Sequence, residues 1–152
     1  ASDVYKRQVI LVGTPNYCTD FTGPSKQPLK YDNIMYTMHR YIDVTEEKPC
    51  ENALLESVVA QGIPVFVSEW GTSAEEEAVL KSGEYDNEAV TYQENAKPFI
   101  DYMKEHRISW TAWALGNKEE AHSMIRSSCD KYSGWTSNDL TDFGRLIFSN
   151  FK

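Results

Sequence analysis

Glu69 closes a short apolar run, Val65-Phe66-Val67, and is followed by Trp70 and Gly71. Consecutive β-favouring residues of this kind read as a strand covered on both faces. A carboxylate at the end of such a strand is costly to ionise unless it is paired or put to chemical use. Two readings therefore compete on the residues alone: a nucleophile, or a strand-end glutamate held in a salt bridge. His39 and Tyr41 stand at the end of a second run, Asn33 to Tyr41. At i and i+2 they point to one side of a strand. The plainer alternatives are a packed tyrosine and a histidine satisfied by backbone.

The tryptophans Trp70, Trp110, Trp113 and Trp135 and an aromatic content of 12% allow either core packing or a sugar-binding cleft, because a pyranose ring presents an apolar C–H face. Nucleic acid is a poor partner for a chain of net charge -8, since phosphate binding relies on clustered Lys and Arg. No apolar run approaches the roughly 20 residues that span a bilayer, so no membrane partner is expected. Cys18, Cys50 and Cys129 are far apart and form no CxxC, which argues against a zinc site. One disulfide with a free thiol, or three reduced thiols, are equally compatible with that set. No metal or organic cofactor is implied.

The elements that must carry these residues follow in chain order. Val9 to Val12 is a buried strand, stopped by Gly13-Thr14-Pro15. Asn16 to Asp20 reads as a loop carrying Tyr17, with a short helical turn expected near Leu29. The strand of 33–41 runs into a charged loop, Asp43 to Lys48. Pro49 to Gln61 reads as a helix with the stripe Leu54, Leu55, Val58 and Val59, and Gly62 suits its C′ position. Thr72 to Gly83 is an acidic loop with a short helix. Glu88 to His106 is a helix with Tyr92, Ala96, Phe99, Ile100 and Met103 on one face, kinked at Pro98 or beginning near Lys97. Ile108 to Trp113 is a strand, and Leu115 to Glu120 turns away as a loop. Ser127 to Thr136 is a polar loop. Leu140, Phe143, Leu146 and Ile147 mark a last helix with Ser137 or Asn138 as N-cap.

Strands near 9, 33, 64 and 108, each with room for a crossover, predict an α/β fold of parallel βα units. Four such units are half of a (β/α)8 barrel or an open four-stranded sheet. Tyr17, His39, Tyr41, Glu69, Trp113 and Lys118 all fall at or just after the C-terminal end of a strand, where barrel enzymes carry their chemistry. That favours the barrel.

Five stretches, VILVGTP at 9–15, YDNIMYTMHRY at 31–41, GIPVFVSEWGTS at 62–73, ISWTAWAL at 108–115 and GWTSNDL at 134–140, occur together and in order. As a set they resemble the C-terminal half of a glycoside hydrolase family 5 endoglucanase, over residues 9–152. The resemblance implies a TIM barrel whose strands five to eight are the four found here, with Val65–Val67 the seventh. Residues 1–8 are expected to be a non-native or disordered lead, because Ser2 to Gln8 resembles translated sequencing-adapter DNA. The N-terminal half of the barrel is then expected to be missing, leaving two raw sheet edges and an invitation to aggregate or dimerise.

By the same likeness Glu69 takes the position of the nucleophile of a retaining mechanism, attacking the anomeric carbon to give a covalent glycosyl-enzyme. Tyr41 takes the place of the tyrosine that orients it, and His39 that of a cleft histidine near the acid/base. Trp113 matches a sugar-stacking tryptophan, while Trp110 reads as barrel packing. Lys118 and Glu120 match loop residues that hydrogen-bond more distant sugars, and Tyr17 a platform on the leaving-group side. The family's acid/base, a Glu following Asn on strand four, has no counterpart in this sequence, and no motif makes Asp20, Asp32, Glu46 or Glu120 its substitute. What the resemblance implies is a secreted endo-β-1,4-glucanase acting on cellulose or related β-glucans, the 152-residue chain by itself being inactive. A mannanase or xyloglucanase on the same barrel is the nearest alternative. A non-catalytic β-glycan-binding module using Tyr17, Trp113 and Trp135 is a more distant one.

Overall fold

The structure, a computed structural model, describes residues 8–43, 52–73, 89–120 and 122–151. Strands β1 (Ile10–Val12), β2 (Ile34–Asp43), β3 (Val65–Ser73) and β4 (Trp110–Ala112) form one sheet in the order β1-β2-β3-β4. Every neighbouring pair is parallel. A strand order that never reverses is the winding of a barrel; a doubly wound sheet changes direction at a switch point. Among the described residues the helices are the short turns α1 (Pro15–Cys18) and α2 (Thr22–Lys26), then α3 (Ala53–Ala60), α4 (Ala89–Glu105) and α5 (Asp142–Asn150).

One face of the sheet carries the core. Ile34, Tyr36, Met38 and Ile42 of β2 and Val65, Val67 and Trp70 of β3 pack there against Leu55 and Val58 of α3, Phe99 and Met103 of α4, and Phe143 and Ile147 of α5. Trp70 is fully buried and meets Phe99, Trp110 and Phe143 edge to face at 5.6–5.8 Å. Trp110, expected as packing, is packing, stacked also on Phe151. Edge strand β1 is the least covered, with Ile10 and Leu11 50% and 43% exposed.

A bulge in β3 decides which way Glu69 faces. Met38 pairs with Val67 and the next residue, His39, pairs with Glu69, so Ser68 is the extra residue. The ladder to β4 slips at the same place, with Val67 on Trp110 and Trp70 on Ala112. The Ser68 carbonyl accepts a hydrogen bond from the Thr111 hydroxyl. An extra residue inverts the side-chain alternation. Val65 and Val67 before it and Trp70 and Thr72 after it are all buried, whereas Glu69 turns to the opposite face, away from α3, α4 and α5.

Several local expectations are corrected. Asn16, Tyr17 and Cys18 form a left-handed turn with φ of 54°, 53° and 62°, closed by the Thr19 hydroxyl on the Asn16 carbonyl. The helical turn expected near Leu29 lies at Thr22–Lys26 instead, where Asp20 accepts from the Thr22 amide. The described part of the third helix begins at Ala53, and Leu54 is exposed while Leu55 and Val58 are buried. Its end is as expected: the Gly62 amide bonds to Val59 O and the Ile63 amide to Val58 O, with Gly62 at φ 71°. Helix α4 runs through Pro98 and does not begin near Lys97, and Ala96, Phe99, Ile100 and Met103 are its buried stripe. The N-cap of α5 is Thr141, whose hydroxyl accepts from the Gly144 amide, because residues 136–139 are engaged in a turn held by Asp139. Cys18 and Cys129 are free thiols. The expectations for residues 1–7, for the loop through Lys48, for Pro49 and Cys50, and for 74–88 lie outside the described residues.

Candidate active site

Strand β2 has no bulge of its own, so His39 and Tyr41 leave it on the same side, opposite Met38 and Ile42. The bulge at Ser68 delivers Glu69 to that side too. The Tyr41 hydroxyl donates to Glu69 Oε1 at 2.8 Å, and His39 Nδ1 lies 3.8 Å from Oε2, beyond hydrogen-bond reach. The Glu69 side chain is 27% exposed, open enough to meet a ligand. Burial first, then the hydrogen bond and charge of Glu69, then the charge of Glu120, push the Tyr41 phenol well above its ordinary value. The hydroxyl therefore remains a donor to the carboxylate through the neutral and mildly alkaline range.

The segment after β4 folds back over this group. The Trp113 amide bonds to Trp70 O at 2.7 Å, and the peptide from Trp113 to Ala114 is cis. Ala114 then pairs with the returning chain, its amide bonding to His122 O at 2.9 Å and its carbonyl accepting from Met124 N at 3.1 Å. His122, which the sequence reading did not single out, lies edge to face on Tyr41 with ring centres 5.6 Å apart. Its Nε2 is 3.5 Å from Glu120 Oε1. Gly71, next to Trp70 on β3, is where these pieces converge. A Cβ there would meet Trp113 O at 2.9 Å, His122 Cβ at 3.1 Å and Tyr41 Cε1 at 3.3 Å.

Of the expected site residues, Glu69, Tyr41 and His39 are thus brought together, and Glu120 joins them through His122. Trp113 leaves the end of β4 with half of its surface exposed. Tyr17 is 89% exposed on its left-handed turn, and Lys118 is exposed in the loop after β4. Neither is bonded to the Glu69 group among the described residues. Trp135 belongs elsewhere: its Nε1 donates to Lys131 O, and its ring packs on a small cluster of Ile125, Cys129 and Leu140. No group of three or more potential metal ligands occurs among the described residues. The arrangement offers one carboxylate with a fixed hydroxyl donor and an exposed indole on the same rim. A carboxylate so held can serve as a nucleophile or as a hydrogen-bond acceptor, and an exposed indole can stack on an apolar ring face.

The family described as Cellulase (glycosyl hydrolase family 5) matches residues 2–119. The chain is 34% identical over 139 residues to an endoglucanase of Clostridium saccharobutylicum, covering 91% of this chain and 28% of that protein. It is 37% identical over 135 residues to endoglucanase A of Butyrivibrio fibrisolvens, covering 88% and 29% respectively. It therefore spans less than a third of the length of these curated relatives. Among solved structures, one from Cytophaga hutchinsonii superposes with a TM-score of 0.72 at 27% identity, over 93% of this chain and 42% of that one. A thermostable, halotolerant GH5 cellulase from an Icelandic hot spring isolate superposes with a TM-score of 0.71 at 25% identity, over 95% and 44%.

Proposed function

Because this chain belongs to the cellulases of glycosyl hydrolase family 5, we propose that it is the C-terminal half of a retaining endo-β-1,4-glucanase that meets its polymer outside the cell. It is a glycoside hydrolase by family, and its sheet supplies barrel strands five to eight. The observation that carries the reading is the Tyr41–Glu69 hydrogen bond of 2.8 Å on the face of the sheet opposite α3, α4 and α5. Tyr41 holds Oε1, and Oε2 of Glu69 is the oxygen that attacks the anomeric carbon. The bond from that carbon to the glycosidic oxygen breaks as the new C–O bond forms. The leaving oxygen takes a proton from an acid carried by the other half of the barrel. Water then attacks the glycosyl ester, gives its proton to the same group, and releases Glu69. Retention by this route needs the two carboxyl groups about 5–5.5 Å apart. Trp113 stacks a sugar face, Lys118 and Glu120 bond hydroxyls further along the chain, and Tyr17 flanks the leaving side. His39 lines the cleft toward the acid.

The test compares the 152-residue chain with the complete enzyme restored from the source DNA, on carboxymethylcellulose, mixed-linkage β-glucan and mannan. The complete enzyme should hydrolyse the glucans, and a 2-deoxy-2-fluoro-cellobioside with a good leaving group should label Glu69, read by peptide mass. Glu69→Gln should lower kcat by at least about a thousandfold. Activity that survives Glu69→Gln removes the nucleophile assignment. Strong activity in the 152-residue chain alone removes the half-site assignment, and preference for mannan moves the substrate.

A further inference from the structure

The nucleophile's donor is itself held in place from behind. Tyr41 bonds Glu69 with its hydroxyl, and the edge contact of its ring with His122 is at 5.6 Å and 67°. The His122 ring is only 13% exposed, and its outer nitrogen is 3.5 Å from Glu120. Its backbone carbonyl is bonded by the Ala114 amide, one residue past the exposed Trp113. On the β3 side the backbone at Gly71 lies against His122, whose Cβ would be 3.1 Å from a Cβ added there. Among the described residues the imidazole meets Tyr41, with Glu69 behind it, and Glu120.

We infer that His122 is a positioning residue: it fixes the Tyr41 ring and couples it to Glu120. Glu120 is proposed above to bond a distant sugar. A polymer seated at Glu120 and Trp113 would draw on the same loop whose His122 sets the tyrosine behind the nucleophile. Long substrates would then gain in kcat as well as in binding. The inference rests on reading Glu69 as nucleophile and Tyr41 as its donor.

The experiment measures kcat and KM for the complete enzyme on a chromogenic cellotetraoside and a chromogenic cellobioside. The variants are His122→Ala, His122→Phe, Tyr41→Phe and the double variant Tyr41→Phe/His122→Ala. His122→Ala should lower kcat about tenfold. The double variant should match Tyr41→Phe within about twofold, because a residue acting through Tyr41 has nothing left to act on. His122→Phe, which keeps the ring and loses the link to Glu120, should restore kcat on the short substrate but not the extra kcat of the long one. Unchanged kcat in His122→Ala overturns the inference, and so does an equal loss in both backgrounds, the mark of a merely structural role. Should His122→Ala fail to fold, His122→Gln serves in the same cycle. A Glu69→Gln enzyme that remains active points instead to failure of the underlying reading.

Discussion

The Tyr41 hydroxyl and the Glu69 carboxylate meet at 2.8 Å although their backbones are not in register. Tyr41 pairs with Gly71, and Glu69 pairs with His39. The contact is a diagonal across a parallel ladder, and its pairing partner is a residue without a side chain. Removing the hydroxyl while keeping the ring isolates that bond. A hydrogen bond to a charged group contributes about 1.5–3 kcal/mol, so Tyr41→Phe should lower kcat of the complete enzyme by about 10–100-fold. The raised Tyr41 value carries a sign for stability as well. In the unfolded chain a tyrosine ionises near about 10, while folded Tyr41 does not, so its contribution is present below that pH and lost as pH rises further. Urea midpoints measured from neutral pH to strong alkali should fall more steeply for the wild type than for Tyr41→Phe.

Gly71 is the second point of leverage. A methyl group there presses on the Trp113 carbonyl, the backbone of a residue whose amide is tied to Trp70 O. Gly71→Ala should cost about 1–3 kcal/mol, the range of core overpacking. Gly23→Ala, with nothing within 4 Å of the added carbon, is the control and should stay within about 0.5 kcal/mol. Equal midpoints for the two variants would show that the strand ends yield freely.

Much of this was legible in the chain. The apolar runs announced the four strands, and the i, i+2 spacing put His39 and Tyr41 on one side because β2 is regular throughout. The apolar run located the strand of Glu69, but β3 continues to Ser73, so Glu69 lies within it rather than at its end, and the direction of its side chain was not legible either. Simple alternation from Val65 and Val67 would send it beneath the helices. Only the simultaneous slip of two ladders at Ser68 turns it outward, and a register between distant segments leaves no local mark. His122 was missed for a related reason: its partner Tyr41 is remote in sequence and is reached only because Ala114 pairs with the returning loop. The cap of α5 was misplaced because Ser137 and Asn138 have the right chemistry, while Asp139 had already claimed that turn.

The end of α4 carries a cost that the sequence conceals. Ile108 N bonds to Met103 O and Arg107 N to Lys104 O, the same closing pattern that Gly62 completes after α3. Here the left-handed position is filled by Arg107, at φ 55°. A side chain in that conformation costs about 1–2 kcal/mol, partly offset by the greater freedom glycine regains on unfolding. Arg107→Gly should therefore stabilise the chain by about 1 kcal/mol, near 3 °C in Tm for a domain of this size. A lower Tm would mean that the arginine side chain contributes more than its backbone costs.

Among the described residues β1 pairs on one side only, with β2, and Ile10 and Leu11 are half exposed. An apolar open edge is a template for pairing with another chain, and a lysine on it is a common deterrent. Leu11→Lys should shift the sedimentation profile of the 152-residue chain toward monomer. A profile that does not depend on concentration in the wild type would show that this edge is already blunted.

Asp139 governs the acid side of stability. Its two oxygens accept from Lys131 Nζ at 2.8 Å, and one of them also takes the Thr136 amide and hydroxyl at 2.7 and 2.8 Å. The Lys131 bond first, then the two Thr136 bonds, hold its carboxyl well below the usual range. The unfolded value is about 3.9, so the stabilisation is complete above that pH. It is lost as pH falls through the lower folded value. Asn at this position keeps an acceptor for Thr136 but carries no charge for Lys131. Asp139→Asn should therefore be less stable than the wild type near neutrality, and the gap between their urea midpoints should close as pH falls below about 4. A gap that stays constant into acid would assign the turn's contribution to shape and neutral hydrogen bonds, with the Lys131 charge irrelevant.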